Sequence, residues 1–350
     1  MSSNSGLILS CLLLSTVAFS GAHAAEPLQL IGHSDLAGYT GDFDHSAVDL
    51  GGNRLFVAAE DHGTLEVFDL KTGNHLKTIK GDIETPHSIF LLPKEGRVMV
   101  TDSGKSMTKL LDDKAYKTVA AIKLVPGADS IGYDAPRNRL YIVTGGKDVD
   151  MKESYLSEID PDTLKHYGDI KFDSNHTEAM AVEQNGPHIF INITDKNYLA
   201  VIDKRTHTIA AKWPIKEARQ NAPIALDEKN HRLFVVTRDP GMLIVINSDT
   251  GATVASFKAP QRCDEVIFDQ VNRRVYVLGG EGYIAVYKEI DPDHYSDLAH
   301  IASAPGAKTG VLAPQLKRLF VNVSPGDKAV GGHVLTYDVL SDATAAGGSH

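Results

Sequence analysis

The sequence predicts an all-β chain, a seven-bladed β-propeller with four antiparallel strands per blade. Three observations carry this prediction. First, a short run of β-branched and aromatic residues recurs seven times. The copies are Arg54-Leu55-Phe56-Val57, Arg97-Val98-Met99-Val100, Arg139-Leu140-Tyr141-Ile142, His188-Ile189-Phe190-Ile191, Arg232-Leu233-Phe234-Val235, Arg274-Val275-Tyr276-Val277 and Arg318-Leu319-Phe320-Val321. Second, successive copies begin 43, 42, 49, 44, 42 and 44 residues apart, and a period in the forties with several short strands per unit is that of a propeller blade. Third, a strand-like run at residues 28–32 has no unit of its own, and the last unit lacks a fourth strand.

Taken in order, the chain begins with an apolar run at residues 7–19, too short to span a bilayer as a helix, followed by Ala22-His23-Ala24. This is the pattern of a signal peptide over residues 1–24, although residues 1–6 contain no Lys or Arg. Cys11 lies inside that run without a lipobox, and no later stretch is long and apolar enough to cross a membrane. We therefore expect an exported protein, periplasmic or secreted. Residues 25–340 form the propeller, and residues 341–350 are a small-residue tail without fixed structure. Removal of the leader leaves Cys263 as the single cysteine, so no intramolecular disulfide is available.

The first unit sets the plan. An inner strand opens at Phe43-Asp44-His45-Ser46, a turn at Gly51-Gly52-Asn53 leads to the recurring run, and Thr64-Leu65-Glu66-Val67-Phe68-Asp69 follows. After the turn Lys71-Thr72-Gly73, a fourth strand covers residues 75–79. Third strands recur as Lys109-Leu110-Leu111-Asp112, Leu156-Ser157-Glu158-Ile159-Asp160, Leu199-Ala200-Val201-Ile202-Asp203, Leu243-Ile244-Val245-Ile246-Asn247, Ile284-Ala285-Val286-Tyr287-Lys288 and Val334-Leu335-Thr336-Tyr337-Asp338. The Asp or Asn closing most of them suits an Asx turn. Outer strands are expected at 119–124, 167–172, 209–213, 253–257 and 298–301. For the last blade, residues 28–32 supply the missing strand and close the ring without an exposed edge. The 49-residue step reflects an insertion at 145–154 in the third blade, and the recurring Arg is expected to pair with acids or carbonyls between blades.

Several runs resemble the YVTN-type repeat of YncE-like β-propeller proteins: Pro86-His87-Ser88-Ile89, Arg97-Val98-Met99-Val100-Thr101-Asp102, Arg139-Leu140-Tyr141-Ile142-Val143-Thr144 and Arg232-Leu233-Phe234-Val235-Val236-Thr237. The resemblance covers all seven repeats. It implies an exported seven-bladed propeller, in a superfamily fold that also holds the quinoprotein amine dehydrogenase heavy chain and the haem d1 propeller. Related propellers include lactonases and lyases. No catalytic residue carries over from any of these, because the shared residues pack blades.

Candidate chemistry is located by counting back from each repeat to the start of its inner strand. That ring reads His45, His87, Asp129, Glu178, Ala222, Asp264 and Lys308, with His176 and Cys263 nearby. These residues are the candidate ligand-binding group at the channel mouth. His45 and His87, with Glu178 or Asp264 as oxygen ligands, suit a divalent metal ion. The same groups could instead do acid–base work, with Lys308 as an acid or charge stabiliser, or simply fill the channel with water and hydrogen bonds. Cys263 reads as a small core residue or as a soft ligand. Arg238, in the loop after its second strand, reads first as turn chemistry and second as a border of the opposite or lateral surface.

A net charge of −10 argues against a phosphate-backbone partner. Seven per cent aromatic residues with one Trp offer no stacking platform for sugars or single strands. No P-loop, dinucleotide fingerprint, GxSxG, HExxH or CxxCH is present. The expectation is a monomeric scaffold binding a small molecule or periplasmic protein at the channel mouth. A metal-assisted lactonase or lyase, and an accessory propeller of a redox system, are the alternatives.

Overall fold

The computed structural model describes residues 26–92, 96–104, 107–326 and 329–342. The leader at 1–24 lies outside the described residues, as does the tail from 343 onward. Seven four-stranded antiparallel sheets are arranged as blades. In six of them the strands follow chain order from the channel outward. The inner strands are Ser46–Asp49, Pro86–Leu92, Ile131–Asp134, Thr177–Val182, Arg219–Asp227, Glu265–Asp269 and Ala307–Ala313.

Burial follows position within a blade. The second strand Arg54–Ala59 and third strand Thr64–Asp69 are buried on both faces, because a neighbouring blade covers each side. The outer strand Thr208–Pro214 alternates exposed with half-buried residues. Apolar clusters fill the gaps between blades: Phe56 and Val67 of the first blade meet Val98 and Val100 of the second. Phe234 stacks on Phe268 of the next blade at 5.0 Å. Asx turns close the third strands. Asp69 Oδ1 accepts the backbone N–H of Lys71 and Thr72, and Asp112, Asp160, Asp203 and Asn247 repeat the device.

Four of the recurring arginines, Arg54, Arg232, Arg274 and Arg318, tie blades together, whereas Arg139 pairs with Glu158 and Asp160 of its own blade. Arg54 binds Asp49 of its own blade and Asp113 of the second. Arg232 pairs with Asp293, and Arg318 donates to the Leu70 carbonyl. Arg274 reaches the Leu340 carbonyl and Asp342, so the ordered chain runs two residues into the segment expected to be a tail.

The N-terminal strand Leu28–Leu36 closes the ring as the outermost strand of the last blade, pairing with Gly332–Val339 from Leu28↔Val339 to Leu36↔Gly332. It is longer than the sequence suggests, because Leu36 is buried with Phe43 and Val334. The sixth blade also departs from expectation. Its third and outer strands extend to Glu281–Asp291 and His294–Pro305, a hairpin turned where Asp291 Oδ1 accepts the Asp293 N–H. Glu289 is polar but buried there, which conceals the strand from hydrophobic patterning. The third-blade insertion carries a short 3-10 turn at Lys147–Val149. No helix among the described residues is long and apolar enough to cross a membrane.

Candidate functional site at the channel mouth

Antiparallel pairing puts the end of each second strand beside the start of its inner strand. Asp44 N–H bonds the Ala58 carbonyl, and Asp129 N–H bonds that of Val143. Residues just past a second strand therefore share the mouth with the inner-strand ring. This corrects the placement of Arg238: it lies at the mouth, not on the opposite or lateral surface. Glu60 and Ser103 arrive there by the same rule.

The mouth divides into two halves. In one, cations and carboxylates are matched. Arg238 bridges Glu178 at 3.1 Å and Asp264, and its Nε–H donates to the Cys263 carbonyl. Lys308 Nζ lies 2.8 Å from both Asp264 and Asp42. His176 Nε2 is 2.6 Å from Glu178. Burial alone would raise the Glu178 carboxyl, but His176 and Arg238 hold it well below the usual carboxylate range. Burial likewise opposes the Lys308 charge, yet Asp264 and Asp42 keep it above the ordinary ammonium range.

In the other half acids outnumber bases. Asp44 sits between two imidazoles: its Oδ2 is 2.7 Å from His87 Nδ1, and its Oδ1 is 3.5 Å from His45 Nε2. Asp129 and Glu60 approach the same His87 Nδ1 at 3.9 and 4.0 Å. The opposite nitrogen of each ring is braced, His87 Nε2 by the Ser103 hydroxyl at 2.9 Å and His45 Nδ1 by Glu265 at 3.2 Å. Protein surrounds these groups, yet the channel leaves His87 and Asp129 12% and 31% exposed.

The electrostatics follow from that count. Burial opposes charge on both imidazoles, but Asp44 outweighs it. His45 rises well above its usual value, and His87 is pushed up to about 10, with Asp129 adding to the effect. Burial also opposes ionisation of Asp44, but His45 and His87 lower it. The other carboxyls go the opposite way: burial raises Glu60 to about 8 and Asp129 to about 6, and raises Glu265 as well despite its bond to His45. Two sets of three ligand atoms lie within 4.8 Å of one another, Asp44–His45–Asp129 and Asp44–Glu60–His87.

Of the residues expected at the mouth, His45, His87 and Asp129 form the acidic half, and His176, Glu178, Asp264 and Lys308 the matched half. Glu178 and Asp264, considered above as oxygen ligands beside the two imidazoles, are each engaged with Arg238. Cys263 presents only its carbonyl. Its side chain is fully buried among Phe234, Val236, Leu243 and Val275, and burial pushes its thiol well up, which suits a core residue and not a thiolate ligand. Asp44 and Glu265 flank ring positions directly, so scanning one residue to either side would have found them. A small cavity of about 60 Å³ opens among His87, Ser103, Asp129, Lys147, His176 and Glu178, room for an ion with a few waters. A larger concavity, about 760 Å³, lies instead among the turns between inner and second strands. There Glu228 caps the backbone N–H groups of Gln184, Asn185 and Gly186, which is turn chemistry.

No family model and no curated protein matches the chain, and the YVTN-type resemblance rests on its repeat residues alone. Among solved structures the chain is similar to Kuenenia stuttgartiensis hydrazine synthase. Identity is 11%, the TM-score is 0.69, and the match covers 88% of this chain and 96% of that one. At that identity the likeness concerns the fold alone. It agrees with a seven-bladed propeller of four-stranded blades.

Proposed function

We propose that this protein is an exported, YncE-like propeller that binds a small ligand at the mouth of its channel, and that the ligand includes a divalent metal cation. One observation carries the reading: both imidazoles turn one nitrogen toward Asp44 while Ser103 and Glu265 hold the other. Metal-binding histidines are oriented in this way by an outer partner that fixes the ring. Asp44, with Asp129 and Glu60, would supply oxygen ligands in place of Glu178 and Asp264, whose charge Arg238 already neutralises. The raised carboxyls of Glu60, Asp129 and Glu265 mark a deficit of positive charge that a divalent ion would fill. Nitrogen with carboxylate oxygen favours zinc, cobalt, nickel or manganese over a soft-ligand copper site.

A binding role stands ahead of a lactonase or lyase. Lys308, the expected acid, is held between two carboxylates and gives up its proton reluctantly. The accessory redox reading has no support in these residues. The test is isothermal titration of untagged, chelator-treated protein with Zn²⁺ and Mn²⁺. Saturable uptake that falls by about one ion per chain in Asp44→Ala with His87→Ala supports the proposal. Equal uptake by that variant, or none by the parent, overturns it.

A further inference from the structure

We infer that His33, Asp35 and His333 form a second transition-metal site, separate from the mouth, which staples the closing strand to the last blade. The register brings them together. Asp35 lies opposite His333 and His33 opposite Leu335, so the three side chains share one face of the two-stranded seam. The imidazole rings are 4.2 Å apart at 41°, and His33 Nε2 is 3.0 Å from Asp35 Oδ1. One ligand atom from each residue lies within 4.8 Å of the other two. Bonds of roughly 2.0–2.2 Å to a common ion would therefore need only small side-chain rotations. Two imidazoles and a carboxylate suit Zn²⁺, Ni²⁺ or Cu²⁺. The 53% and 80% exposure of His33 and Asp35 leaves room for water to complete the coordination shell.

The location gives such a site a consequence. The seam joins the two ends of the propeller, and Cys263, the one cysteine among the described residues, is buried elsewhere. The three ligands meet only when Leu28–Leu36 is paired with Gly332–Val339. An ion that binds this arrangement and not the opened one stabilises closure by mass action. Closure of the ring would then depend on metal in a way that the apolar contacts of Leu28 and Leu36 alone do not.

The site can be tested with the mouth silenced. In Asp44→Ala, His87→Ala protein, added ZnCl₂ should bind about one ion per chain, raise the midpoint of thermal unfolding and slow proteolysis of the N-terminal strand. Cu²⁺ should give a paramagnetic resonance spectrum with two coupled nitrogens. His33→Gln, at an exposed position, and His333→Gln, at a half-buried one, should each weaken binding at least tenfold and remove the thermal rise, while metal-free unfolding stays close to that of the parent. Uptake and thermal rise unchanged in the His33→Gln, His333→Gln double variant would overturn the inference. So would absence of a saturable zinc response in the mouth-silenced protein. Loss of the mouth ion alone leaves this seam unaffected, so failure of one proposal is distinguishable from failure of the other.

Discussion

His87 donates its Nδ1–H to Asp44 at 2.7 Å across the boundary between the first two blades, and this bond joins the acidic half of the mouth to the packing of the ring. Asp44→Asn keeps the shape but removes the charge facing both imidazoles. The bond is enclosed by protein yet reached by channel water, so the expected loss is roughly 2 kcal/mol, below the range for fully buried pairs. Denaturant unfolding reads the loss, and a histidine NMR titration should show the His87 pKa falling toward the ordinary imidazole value. An unchanged titration would separate His87 from Asp44.

Stability of the metal-free protein should decline from mildly acidic to alkaline pH. His87 is pushed up to about 10, so its contribution is complete below the unfolded imidazole pKa and is lost as pH rises toward 10. Glu60, raised to about 8, acts in the same direction: the folded chain keeps a proton that the unfolded chain gives up above the usual carboxylate range. Asp44 is lowered, so its contribution is lost only in acid. Thermal unfolding at pH 6 and pH 9 should differ by several degrees in favour of pH 6. The reverse order would contradict the charge assignment.

Metal at the mouth must displace the proton of the imidazole that it binds, His87 in one triad or His45 in the other. Binding should therefore strengthen as pH rises and release protons, seen as a calorimetric enthalpy that varies with the ionisation heat of the buffer. No variation between buffers would mean that the imidazoles are not ligands.

Arg238→Ala leaves Glu178 and Asp264 facing each other without their shared guanidinium. The expected cost is roughly 2–3 kcal/mol, again discounted for channel water, and Arg238→Lys should recover only part because an ammonium cannot span both carboxylates in the fork geometry. Equal stability of the two variants would remove the bridging role.

Much of this fold is legible in the sequence because a propeller repeats itself. The runs from Arg54 and Arg232 announce second strands through period alone, and Asp69 or Asn247 announces the turn that follows. The extended sixth-blade hairpin is concealed because Glu289 is buried while polar, and apolar patterning cannot register a buried acid. The site divides in a similar way. Counting back from the repeat finds His45, His87, Asp129, Glu178, Asp264 and Lys308, since inner-strand starts converge by symmetry. Arg238, Glu60 and Ser103 escape it because they reach the mouth from the ends of second strands, and only the antiparallel return within a blade brings them there. Which carboxylate faces which cation depends on side-chain direction, which repeat spacing does not encode. Asp44 illustrates this: it is one residue from a ring position, yet it is the group that both imidazoles share.

The central claim is that Asp44 holds a cation together with an imidazole of the mouth, His87 beside Glu60 or His45 beside Asp129. Its most direct test is elemental analysis of untagged protein carrying His33→Gln and His333→Gln, equilibrated with Zn²⁺ and desalted. Retention of about one ion per chain, falling to the buffer background when Asp44→Ala is added, is the predicted result. Background metal in the protein with an intact mouth, or the same content with and without Asp44, would contradict it.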